Sequence, residues 1–152
     1  VSEFSGAVYY YVTQQFINRD TRAAFVKVKN KIIDKINTKR RENQLVALIA
    51  DPDYSQIAQS HAEDMALADN LGYIVENDRD DRHISEKYRE VEGIKDYMIK
   101  IFAVQDFEDI ITNDVYSEDF NKLAVGLTVS DSPKYGKDTY WVVLVYINDL
   151  NR

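Results

Sequence analysis

The 152-residue chain has no cysteine. That excludes disulfides, thiol catalysis and any zinc or iron–sulfur site built on thiolates. Histidine is nearly as scarce: His61 and His83 are the two in the chain. Two prolines and five glycines, none of them clustered, leave no phosphate-cradling loop and no flexible linker. No apolar run reaches the roughly 18 residues needed to cross a membrane. Basic excess is missing as well. A formal net charge of −7 argues against a nucleic-acid partner and against attraction to anionic headgroups. No signal peptide is recognisable, and the first residue is Val1 rather than Met, so a mature or trimmed chain is expected.

What is present is the material of one soluble domain. Hydrophobic residues make up 45% and charged residues 30%, enough apolar matter for a single core and too much for disorder. Ile (14), Tyr (11), Lys (11) and Asn (10) are all abundant, a mix that hints at an AT-rich genome.

Periodicity supplies the elements. Tyr9, Tyr10, Tyr11, Val12 and Phe16 fit strand or helix equally, and the tyrosines read as packing or as an aromatic contact patch. From Thr21 the pattern clears: Phe25, Val28, Ile32 and Ile36 share one helix face, with Lys27, Lys31, Asp34 and Lys35 opposite. Asp51 caps a second helix, with Pro52 at its first position and Asp53 at the positive end of the dipole. Tyr54, Ile57, Ala58, His61, Ala62 and Met65 form its stripe, and Leu71-Gly72 reads as its C-cap. Residues 76–82 read as an exposed loop. A short helix is expected over 85–92, stopped by Gly93, and then a buried strand over 97–103. Asp106 caps a helix to about Thr112. Strands follow at 123–129 and 139–147, joined by a loop over 130–138. The last strand is apolar on both faces, so it belongs in the middle of a covered sheet. The sum is a layered α+β domain.

Residues 32–65 also resemble a known family. Ile36-Asn37-Thr38-Lys39-Arg40, then Leu48, Asp51-Pro52, Tyr54, Ala58 and His61-Ala62-Glu63-Asp64-Met65, match the helix pair of the CAP superfamily. That superfamily comprises cysteine-rich secretory proteins, antigen 5 and pathogenesis-related-1 proteins, and its domain is also called SCP. Arg89 with Gly93, Ala124-Val125-Gly126-Leu127, and Thr139-Tyr140-Trp141-Val142-Val143 resemble its later segments. The resemblance spans about residues 29–147. It implies a three-layer α-β-α sandwich over 21–152, with 1–20 as an N-terminal extension, and structural roles for Asn37 and Arg40.

Many members of that family line a cleft with two histidines and two acids, a set able to hold zinc or to move protons. The resemblance places the first histidine near Tyr73 and the second within 113–117, where this chain has none. The Glu-Asn pair expected between them is also missing, and Glu76-Asn77 comes too early. His61 reads as a hydrogen-bonded core residue and His83 as a solvated loop residue beside Asp78, Asp80 and Asp81. The run His61-Ala62-Glu63-Asp64-Met65 lacks the second histidine of a zincin motif, and residues 78–81 lack calcium-loop spacing. No catalytic residue, metal ligand or cofactor site is therefore expected.

The resemblance implies a non-catalytic binding module displayed outside the cell, in the manner of a spirochaetal outer-surface lipoprotein anchored upstream of Val1. A lipid, a sterol or a host protein would be its partner. Two alternatives stand beside it. One is a lipid or sterol carrier. The other is a hydrolase with a rearranged cleft, using His83 with Glu86, Glu92 or Glu108.

Overall fold

A computed structural model describes residues 19–75 and 83–150. Helix α1 (Arg19–Glu42) leads to a two-residue strand β1 (Ile49–Ala50) and helix α2 (Pro52–Ala68). A short helix α3 (Ile84–Arg89) precedes strand β2 (Ile94–Val104), two 3-10 turns (Phe107–Ile110 and Asn113–Tyr116), and a hairpin of β3 (Lys122–Ser132) and β4 (Gly136–Asp149). The sheet order is β1-β3-β4-β2, with β1 parallel to β3 and the other pairs antiparallel.

Strand β4 is central, as its two apolar faces require. Val142, Leu144 and Tyr146 face α1, together with Ile32, Ile36, Leu123, Val125 and Leu127. Trp141, Val143, Val145 and Ile147 face α2 and α3, together with Ala58, Ala62, Met65, Ile84 and Tyr88. These two cores on one sheet make the α-β-α sandwich.

The start of α2 is as its residues dictate. The Asp51 carboxylate accepts from the Asp53 and Tyr54 amides at 2.9 and 3.1 Å, and Pro52 occupies the first turn. Its end differs from expectation. Asp69 takes the left-handed cap conformation (φ 50°), and Gly72 lies beyond the helix, where its carbonyl meets His61. A polar residue with a short side chain tolerates that conformation well enough to displace the glycine signal.

Other expectations shift in extent. Strand β2 is half-buried along 97–104 rather than buried, because among the described residues no strand pairs with its outer side. The helix expected over 85–92 is the shorter α3. The helix expected after Asp106 is a pair of 3-10 turns, the first capped by the Asp106 carboxylate. Most of the loop over 130–138 is strand, since β3 continues to Ser132 and β4 begins at Gly136. The expectations for residues 9–16 and 76–82 lie outside the described residues.

Candidate functional site

The position near Tyr73 is occupied by an aromatic pair. The Tyr73 ring lies flat on the His83 imidazole, centroids 5.2 Å apart and planes 4° from parallel. His83 is not the solvated loop residue that its acidic neighbours suggested; it caps α3. Its Nδ1 accepts from the Ser85 amide at 3.1 Å and lies 2.7 Å from Ser85 Oγ. The Glu86 carboxylate accepts in turn from the His83 amide at 3.1 Å. This reciprocal capping box satisfies amide groups that the helix itself cannot. Histidine is an uncommon cap, so sequence reasoning had no signal for it.

The second position, 113–117, carries backbone contacts. Arg40, 2% exposed, donates to the Val46, Val115 and Ser117 carbonyls at 2.8, 2.9 and 2.7 Å. Asn37 donates to the Leu48 carbonyl at 3.1 Å and accepts from the Leu48 amide at 2.8 Å. Both residues hold the connection after α1 in place, the structural role that the resemblance implied. Asp114 accepts from Lys100 at 3.0 Å, which holds its carboxyl below the usual range.

His61 is the core residue its helix face required. It is 2% exposed, and its Nε2 sits 2.7 Å from the Gly72 carbonyl. Burial pushes its pKa below the ordinary histidine value, and the Gly72 bond opposes the shift. The other acids named for a rearranged cleft do not gather around His83. Glu108 pairs with Lys35 of α1, on the far side of the sheet from α3. Glu92 is exposed beyond the end of α3. Among the described residues no three metal-ligating side chains converge. The family's zinc does not fit this chain. Residues 113–117 supply no imidazole, and the one imidazole near Tyr73, that of His83, already uses Nδ1 as a cap.

A third polar group joins the ends of three elements. Lys122 lies 2.8 Å from the Asp149 carboxylate and 3.2 Å from Asp51, while the Tyr54 hydroxyl donates to Asp149 at 3.0 Å. The two carboxylates raise the Lys122 pKa through hydrogen bonds, Asp149 first. The Tyr54 hydroxyl is raised first by burial and then by Asp149. With each charge answered inside the group, the arrangement is a structural clasp.

Open space lies along α1. One groove of about 350 Å³ runs between α1 and α2, past Val26, Ile33, Pro52 and Gln59, with Val125 at its floor. Lys29 lines it, and burial lowers its pKa while Glu63 opposes the shift. A larger groove of about 620 Å³ lies at the other end of α1, bounded by Leu45, Val46, Ala47, Ile49 and Phe120. Val46 and Ile49 are 83% and 65% exposed there, and Gln44, Glu118 and Asn121 add polar groups to its walls. The two cations on its rim, Arg40 and Lys122, are already engaged.

No family model matches the chain, and no curated protein matches it in sequence. Solved structures do match in shape. An extracellular protein containing an SCP domain from Bacillus anthracis superposes on 79% of this chain with a TM-score of 0.54 and 16% identity. An outer surface protein from Borrelia burgdorferi superposes on 80%, with a TM-score of 0.59 and 10% identity. The fold is of the SCP type. This chain spans 40% of the length of the Bacillus protein and 92% of the Borrelia protein. At these identities the shared property is the SCP backbone.

Proposed function

We propose that this SCP-type domain is a non-catalytic binding module that works outside the cell or on its surface. One observation carries the reading: at the position near Tyr73, the available imidazole is spent on capping α3 and stacking on tyrosine. A base or a zinc ligand needs a free nitrogen lone pair directed at the substrate or metal. The extracellular SCP protein and the outer surface protein with the same fold support the location. Zinc titration with melting as readout tests the non-catalytic part. The expected result is no stoichiometric zinc and no rise in Tm. A rise that disappears in His83→Ala would overturn it. Antibody binding to intact cells of the source organism tests the location.

The groove beside Val46 and Ile49 favours a second reading, carriage of an apolar ligand such as a fatty acid or sterol. Its volume of about 620 Å³ falls in the range of small-molecule sites, and Leu45, Val46, Ala47, Ile49 and Phe120 supply apolar wall beside the polar Gln44, Glu118 and Asn121. Delipidated protein should then take up labelled fatty acid or sterol, and Val46→Asp should abolish the uptake. No uptake by the unmodified protein would sink this reading and leave a protein partner as the ligand class.

A further inference from the structure

Both histidines of the chain meet the same strap, residues 70–75, which leaves the end of α2. His61 holds it from below, with Nε2 2.7 Å from the Gly72 carbonyl. His83 holds it from the side by stacking on the Tyr73 ring. The Ile84 amide donates to the Tyr73 carbonyl at 2.9 Å, tying the strap to α3. Beneath lie Val75, Ile84 and Tyr88, all buried.

We propose that His61 works an acid-sensitive latch, which keeps the strap and α3 closed on α2 at neutral pH and releases them as this buried imidazole takes up a proton, with His83 as a second, stacking contact. His61 is the principal element. Its Nε2 carries the hydrogen given to Gly72, so a second proton would have to settle on Nδ1 within the core, where an ionised ring is poorly solvated. Around it, the Gly72 carbonyl and the Asp64 carboxylate favour the added proton, whereas Lys87 of α3 and His83 oppose it. Burial outweighs the rest and lowers the pKa. The sign follows from that. An opened strap returns His61 to water and an ordinary pKa, so the open form binds more protons. The closed form is fully favoured above about pH 6.5 and loses ground as pH falls below it.

His83 adds a second contact. Its ring stacks on Tyr73 while its Nδ1 accepts from the Ser85 amide, so the residue that caps α3 also touches the strap. The strap is therefore fastened by both histidines, and its release uncovers Val75, Ile84 and Tyr88.

Amide hydrogen exchange across pH 7.5 to 5, corrected for the intrinsic rate, reads the latch directly. Protection of the Ile84 and Ser85 amides should be lost as pH falls through this range, while amides in β4 stay protected. In His61→Gln, whose amide can still donate to Gly72 without titrating, the pH step should shrink or vanish. In His83→Asn, which keeps a cap but removes the ring, the pH step should remain. An unchanged step in His61→Gln would overturn the proposal. Should that variant fail to fold, imidazole NMR of the unmodified protein decides. Both rings should show the Nε2–H tautomer, and the His61 titration should coincide with loss of Ile84 protection. Either a different tautomer or separate midpoints would also overturn it.

Discussion

The two faces of the sheet are packed by opposite means. On the α1 face the contacts are branched aliphatics: Ile32 and Ile36 on the helix against Leu123, Leu127 and Leu144 on the strands. On the α2 face small residues meet: Ala58 and Ala62 against Ala124 and Gly126. A β-carbon at residue 126 would stand 2.2 Å from the Ala58 carbonyl oxygen, so the α2 backbone lies directly on β3. From that distance its side chains reach the strand backbone. Gln59 both donates to the Leu127 carbonyl and accepts from its amide, at 2.8 and 3.0 Å, and Ser55 Oγ accepts from the Val125 amide at 3.1 Å. Those groups lie on the side of β3 that the short β1 does not cover, an edge that would otherwise invite another strand. Close packing seals the α2 face. Bulky packing holds α1 away from the sheet, and both grooves open along α1.

Gly126→Val puts the largest strain on this contrast. The new side chain must displace backbone rather than a flexible neighbour, so a loss of about 3 kcal/mol or more is expected in urea denaturation. A loss under about 1 kcal/mol, the size of a single-methyl deletion such as Ile32→Val on the opposite face, would show that α2 does not depend on close approach. Asn37→Ala comes next. It orphans the buried Leu48 amide and carbonyl at the end of α1, and a loss of about 2 kcal/mol is expected. A near-zero effect would mean that water reaches this connection. Tyr146→Phe should have the smallest effect. The Tyr146 hydroxyl is buried on the α1 face with no hydrogen-bond partner among the described residues, and burial pushes its pKa well above the ordinary value. Removing it should change stability by less than about 0.5 kcal/mol or raise it. A larger loss would reveal a bridging partner and a less apolar α1 face.

Much of this architecture is legible in the residues. The stripe on α1, the Asp51-Pro52 start of α2 and the doubly apolar β4 each follow from local periodicity or capping chemistry, which depend only on near neighbours in the chain. The strap region is less legible. His83 beside a run of aspartates looks solvated, yet it stacks on Tyr73, ten residues earlier, and replaces the usual serine or aspartate at a cap. Leu71-Gly72 looks like a helix stop, yet Asp69 ends the helix and Gly72 serves His61. In both cases a tertiary contact outweighs a local preference worth about 1 kcal/mol or less. The two-residue β1 is too short to leave a pattern at all and exists because Lys122 and Leu123 offer an open edge.

By itself the sequence determined the layers, the position of the last strand and the lack of any histidine after His83. Each of these rests on residue type and spacing, which the chain carries without reference to its fold, while the structural use of Asn37 and Arg40 is what the resemblance implied. The tertiary structure alone decided how near each helix sits to the sheet, where open space remains, and that both histidines close on one strap. Those are distances between residues far apart in the chain, set by the volumes that meet across the core, and no local pattern encodes them.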